Sequence, residues 1–167
     1  PYVKKSIAYA IIKASELSET DSEIEEFLPI LERLLADSSP IAFSGAIAAY
    51  WAICPENVDM IHAHFRNICR MLPNVDQWGQ MFALRALTVY ARLCFKKPST
   101  RSLYVEQIEE DNVDFFDDQN TDELISPDHL LLIKTAVGLL QSINPGVVSA
   151  AVSLLYYCAP DSYITSV

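Results

Sequence analysis

Residues 34–55 read LLADSSPIAFSGAIAAYWAICP, and residues 139–160 read LLQSINPGVVSAAVSLLYYCAP. The second stretch is the first, displaced by 105 positions. Leu34-Leu35 falls on Leu139-Leu140, Pro40 on Pro145, and Ser44-Gly45-Ala46-Ile47 on Ser149-Ala150-Ala151-Val152. Trp51 falls on Tyr156 and Pro55 on Pro160. Any two amphipathic helices share an apolar spacing, but prolines in register at both ends are a stronger match. Removing an intervening loop of about 28 residues leaves about 77, two units of about 38, near the helix-pair period of HEAT and armadillo repeats. A single pair cannot bury its own apolar face, so pairs stack into a solenoid. The sequence therefore predicts an all-α fold, an α-solenoid of HEAT/armadillo-like helix pairs.

Outward from this repeat, apolar residues recur at steps of three and four almost throughout. Tyr2, Val3, Ile7, Ala10, Ile11 and Ala14 predict a first helix ending near Leu17. Thr20 with Glu23 has the spacing of a capping box and opens a second helix. Its stripe is Ile24, Phe27, Leu28, Leu31, Leu34 and Leu35, with Pro29 expected to kink it or move its start. Ile41 to Cys54 is apolar on every side, the pattern of a helix sandwiched between neighbours. Val58, Ile61, Phe65, Ile68, Cys69 and Leu72 predict one further helix, and Asp76 to Phe95 another, with Trp78, Met81, Phe82, Val89, Tyr90 and Leu93 among its apolar residues. Ser126-Pro127-Asp128 supplies a cap, a first-turn proline and a dipole-complementing acid for a helix with Leu130, Ile133, Val137 and Leu140. A last helix carries Val148, Ala151, Val152 and Leu155 to Pro160, and 161–167 read as the opening of another.

Composition narrows the function. The chain has 167 residues, 51% of them hydrophobic, and only 4 glycines, which argues against Gly-rich phosphate loops and hairpin-rich β folds. Its longest wholly apolar run, Ala46 to Cys54, is far short of the roughly 20 residues a bilayer span needs. It opens on Pro1-Tyr2-Val3 and reads as a piece of a longer protein. The net charge of −10 is concentrated. Glu106 to Glu123 holds nine acids and no Lys or Arg. Without a basic face the chain is not expected to bind nucleic acid. The domain reading is one solenoid segment over 1–167, interrupted at 98–125 by an acidic, disordered insertion. Within it, Val113, Phe115 and Phe116 could dock on a partner.

No catalytic, cofactor or metal site is predicted. Cys54, Cys69, Cys94 and Cys158 form no CxxC and sit in apolar helical patterns, so buried, reduced thiols are expected. On one helix His62 and His64 would point some 200° apart, too far to share a metal. His129 stands alone beside a helix start. The acidic insertion lacks the central Gly of a calcium loop. Arg66/Arg70 and Arg85/Arg92 lie one and two turns apart on neighbouring helices, a solvated face or a site for an acidic partner. Trp51 and Trp78 lack the Asn one turn later that an import-receptor peptide groove would show, and read as packing residues.

Several of these stretches resemble the β-adaptins. They are Pro1-Tyr2-Val3-Lys4-Lys5-Ser6 with Ala8, Leu34-Leu35-Ala36-Asp37, and Trp78-Gly79-Gln80. Cys54-Pro55, Val58-Asp59, Ile61-His62, Phe65-Arg66, Cys69, Tyr90-Ala91-Arg92 and Pro127-Asp128-His129-Leu130-Leu131-Leu132-Ile133 resemble the β large subunits of adaptor protein complex 3 in particular. The resemblance implies a trunk segment of a heterotetrameric vesicle-coat adaptor, not an enzyme. Its partners would be a second large chain, a medium chain and a small chain. An Arf-type GTPase and membrane cargo would meet the whole complex. The implied location is cytosolic and peripheral, on endosomal or late-Golgi membranes, in sorting toward lysosome or vacuole. Lys5 and Ser6 depart from the family's Arg-type and Thr-type positions. The competing readings are another helical-repeat scaffold, such as a nuclear import receptor or phosphatase scaffold, and an all-α enzyme built on Cys54 or His62.

Overall fold

The computed structural model describes residues 1–18, 20–95 and 126–159. Its helices are α1 (Tyr2–Leu17), α2 (Asp21–Leu35), α3 (Pro40–Ile53), α4 (Val58–His62), α5 (Phe65–Met71), α6 (Gln77–Cys94), α7 (Pro127–Leu139) and α8 (Pro145–Cys158), with a 3-10 turn at Leu72–Asn74. The predicted insertion and the predicted last segment, 161–167, lie outside the described residues.

The helices form two layers. α1, α3, α6 and α8 pack side by side in one row, each against the next. The second layer lies behind: α2 on α3, α4 on α6, and α7 on α8 and α5. These contacts define three stacked pairs, α2–α3, α4/α5–α6 and α7–α8, behind the single helix α1. The predicted repeat is therefore physical. Pro40 and Pro145 each occupy the first turn of a 14-residue helix, α3 and α8, where a missing N–H costs no helical bond.

Helix α3 lies inside the row. Ala42 to Tyr50 is buried without interruption, as its all-round apolarity predicts. The α1 and α3 backbones approach closely at Gly45, where a Cβ would lie 3.1 Å from the Lys5 Cα and carbonyl oxygen. The Tyr50 hydroxyl donates to the carbonyls of Pro55 (3.1 Å) and Asn57 (3.2 Å), anchoring the turn that leads to α4.

Several expectations need correction. On α1 the buried residues are Ala8 and Ile11, while Tyr2, Val3, Ile7 and Ala10 are exposed. The helix packs on α3 and α2, which cover only part of its circumference. Thr20 does cap α2, but no side-chain capping bond forms; Glu23 N–H donates instead to the Thr20 carbonyl at 3.2 Å. Pro29 sits within a continuous α2 and does not move its start. The helix expected over 58–72 is two. His64 adopts φ −117°, ψ 5°, and its N–H donates to Ile61, three residues back rather than four, which interrupts the helical ladder. On α6 the core face is Gly79, Gln80, Ala83, Leu84, Ala86, Leu87, Tyr90 and Ala91. Trp78 (68% exposed) and Leu93 project away from it. On α7 the buried register is His129, Leu132, Ile133, Ala136 and Leu139, offset from the predicted Leu130–Leu140 stripe. Leu130, Val137 and Leu140 are half-buried flanks.

Polar contacts stitch the helix starts along one edge of the row. Lys4 pairs with Asp37. Asp76, the α6 N-cap, accepts from Gly79 N–H (2.9 Å), the Ser44 hydroxyl (2.6 Å) and Lys5 Nζ (2.7 Å). Asn144 caps α8 by accepting from Gly146 N–H at 2.8 Å, and its amide donates to Gln77 Oε1 at 2.8 Å. Each cap thus also spaces a neighbouring helix. Burial raises the Asp76 carboxyl, but the hydrogen bonds from Lys5, Ser44 and Gly79 outweigh it and hold the group below its ordinary range.

Candidate interaction surfaces

Two hollows on the surface collect the residues singled out above. The first lies on the exposed side of the row between α6 and α8. It has a volume of about 310 Å³, with Trp51, Met81, Arg85, Val89, Arg92 and Tyr157 in its walls. The Arg92 guanidinium sits 5.3 Å from the Tyr157 ring centroid, a cation–π contact. Tyr156 and Tyr157 are edge-to-face at 5.1 Å and both exposed. The repeat puts Arg85 and Arg92, two turns apart on α6, opposite the start of α8 at Gly146 and its later residues Ser149 and Tyr157. Trp51 contributes to the wall and packs partly on the core, as expected; Trp78 does not.

The second hollow, about 460 Å³, lies on the other layer and contains His62, His64, Arg66, Arg70, Tyr90 and Asp128. The break between α4 and α5 overturns the expectation that His62 and His64 point apart: both border the same hollow. His62 Nδ1 and the Tyr90 hydroxyl share a hydrogen bond at 2.7 Å. Arg66 grips Asp128 through two bonds, Nε to Oδ1 at 2.7 Å and the terminal nitrogen to Oδ2 at 3.2 Å, joining α5 to α7. The hydrogen bond from Arg66 holds the Asp128 carboxyl below its usual range. Among the described residues no three His, Cys, Asp or Glu side chains converge on a metal position.

Sequence reasoning missed His129. It is 4% exposed, and its Nε2–H donates to the Cys158 carbonyl at 2.7 Å. Burial pushes its pKa down, against the opposing effect of that hydrogen bond. Its neighbour Phe95 meets Phe65 and Tyr90 edge-on, and Phe65 stacks on Tyr90 at 5.0 Å. The available signal was its spacing in the capped first turn of α7, three and four residues before Leu132 and Ile133. The cysteines also divide: Cys69 and Cys158 are buried, Cys54 is half-buried, and Cys94 is exposed because it lies at the end of α6 on its outer side.

The sequence has relatives that cover nearly all of it. Residues 1–162 match the model of the adaptin N terminal region. The chain belongs to the adaptin N-terminal family. Within curated proteins it is 35% identical to the AP-3 complex subunit beta-1 of Bos taurus, over 97% of this chain and 15% of that protein. It is 34% identical to the AP-3 complex subunit beta of Dictyostelium discoideum, over 96% of this chain and 17% of that protein. To the AP-3 complex subunit beta of Saccharomyces cerevisiae it is 28% identical, over 94% of this chain and 20% of that protein. The chain thus spans about a sixth of the length of these adaptin relatives. The resemblance read from the sequence stands, and with it the helical-solenoid class. No described helix is long and apolar enough to cross a membrane.

Proposed function

We propose that this chain is a trunk segment of the β large subunit of an AP-3-type adaptor complex. In it, the stacked pairs form a wall that holds other subunits. The observation that carries this reading is the adaptin match over 1–162, coincident with an unbroken row of helices from α1 to α8. The segment is a scaffold and not an enzyme. Of Cys54 and His62, the residues an all-α enzyme would use, His62 bonds Tyr90 in a hollow whose walls do not include Cys54, and Cys54 is pushed up to about 11 by burial, unsuited to a nucleophile. We propose a single solenoid segment over 1–167 with an acidic insertion at 98–125. Its partners are a second large chain, a medium chain and a small chain. An Arf-type GTPase and cargo act through the whole complex, which works peripherally on endosomal and Golgi membranes in transport toward lysosome or vacuole.

The test is capture of the intact parent protein from cytosol in mild salt, with mass spectrometry of stoichiometric companions. One large, one medium and one small chain are expected. Recovery with a phosphatase catalytic subunit or with import cargo would remove the trafficking function and leave the solenoid.

A further inference from the structure

The hollow between α6 and α8 carries only positive charge. Arg85 and Arg92 are its charged residues, no Asp or Glu stands in its wall, and neither arginine is ion-paired among the described residues. The chain's surplus of acids stands elsewhere, in Glu106 to Glu123. Arg92 is already oriented by the Tyr157 ring, which leaves its N–H edges available for a carboxylate. Trp51, Met81 and Val89 add an apolar floor. The site therefore asks for an extended acidic peptide with aromatic or aliphatic side chains among its carboxylates. The second hollow fits that ligand less well, because Asp128 already occupies Arg66.

We infer that the α6–α8 hollow docks this chain's own acidic segment, Glu106 to Glu123, with its carboxylates on Arg85 and Arg92 and Phe115 or Phe116 against the apolar floor. The complementarity is nine acids without a base on one side, and two unpaired arginines without an acid on the other. The reach is sufficient. Ten residues separate Phe95 from Glu106, and an extended chain covers about 3.3–3.6 Å per residue, on the order of 35 Å. Arg85 lies about 14 Å from the end of α6 at 1.5 Å per helical residue. A tether within the same chain raises the effective local concentration to the order of millimolar, so weak contacts count for more than they would between separate molecules.

The experiment places a photo-crosslinking benzoylphenylalanine at position 115 of the full parent protein and maps the products by mass spectrometry. Crosslinks within one molecule to peptides containing Met81–Arg92 or Ser149–Tyr157 are expected. They should fall about fivefold in Arg85→Glu with Arg92→Glu, the effect of losing two exposed ion pairs. Arg85→Gln with Arg92→Gln is the gentler companion variant, and an unchanged melting profile checks the fold of both. Crosslinks confined to the His62–Arg70 face, crosslinks between molecules, no crosslinks, or yields indifferent to both arginine pairs would each overturn the inference. None of these outcomes bears on the subunit composition of the complex, so the adaptor reading is tested separately.

Discussion

Phe95 and His129 stack nearly face to face, with centroids 4.7 Å apart and ring planes 13° from parallel, although 34 positions separate them. Phe95 follows the last residue of α6 and His129 lies in the first turn of α7, so this stack joins two helices consecutive among the described residues. A contact between positions this far apart in the chain costs closure entropy that grows only slowly with the separation. The stack is backed by Phe65 and Tyr90 and by the bond from His129 to the last turn of α8, so it ties the end of α6 to the start of α7.

The buried His129 makes stability depend on pH. Its folded pKa lies below the ordinary value of 6.5, because burial disfavours the charged ring. Between the two values the unfolded chain binds the extra proton, so stability rises with pH through that window. It is complete above about 6.5 and falls as pH drops toward the folded value. Thermal melts from pH 7.5 to 5.5 should show this decline, and His129→Gln should flatten it. Identical slopes for the two proteins would count against the assignment.

Asp76 ties three helices, so its loss is felt in all of them. Asp76→Ala removes the α6 cap and the partners of Ser44 and Lys5. A cost of about 2–3 kcal/mol is expected from urea unfolding, more than the ~1 kcal/mol of a cap alone. Ser44→Ala should cost less, because Asp76 retains Lys5 and Gly79. The depressed Asp76 carboxyl adds stability above its unfolded pKa, near 3.8, that is lost as pH falls through the folded value. The two losses set in at different points as pH falls, near 6.5 for His129 and near 3.8 for Asp76.

Two glycine substitutions should act in opposite directions. A Cβ on Gly79 would lie 2.5 Å from Val75 Cγ1 and 2.9 Å from Ser44 Cβ. Gly79→Ala is expected to destabilise by about 1–3 kcal/mol despite the better helix propensity of alanine. Gly138, exposed on α7, would present its Cβ to open space. Gly138→Ala should stabilise by about 0.5–1 kcal/mol. Paired chemical melts decide both, and equal signs would refute the packing argument.

Thiol labelling should follow burial. In native protein at pH 8, iodoacetamide should modify Cys94 first, since it is exposed. Cys158 and Cys69 are pushed up to about 11 and about 12 by burial and should label only after unfolding. Peptide mapping over time checks the order. Early labelling of Cys69 would mean that α5 opens locally.

The pattern of prolines and apolar steps by itself determined most of the helices and the pairing period, and the motifs that resemble the β-adaptins pointed to the family. Capping and backbone geometry act within a few residues, so Ser126-Pro127, Pro40 and Pro145 could be read directly. The sandwiched α3 was legible for a related reason: only a helix covered on every side tolerates so apolar a circumference. What surrounds each helix is a different matter. Ile7, Trp78 and Leu93 are as apolar as their buried neighbours, yet they face away from the core, because only the stacking of the row decides which arc of a helix is covered. The same stacking buried His129 and brought Arg85 and Arg92 to face Tyr157 across a gap between two helices. Local sequence fixes which helices form, since their hydrogen bonds close within four residues. The surfaces arise from contacts between residues tens of positions apart, and these exist only once the layers have packed.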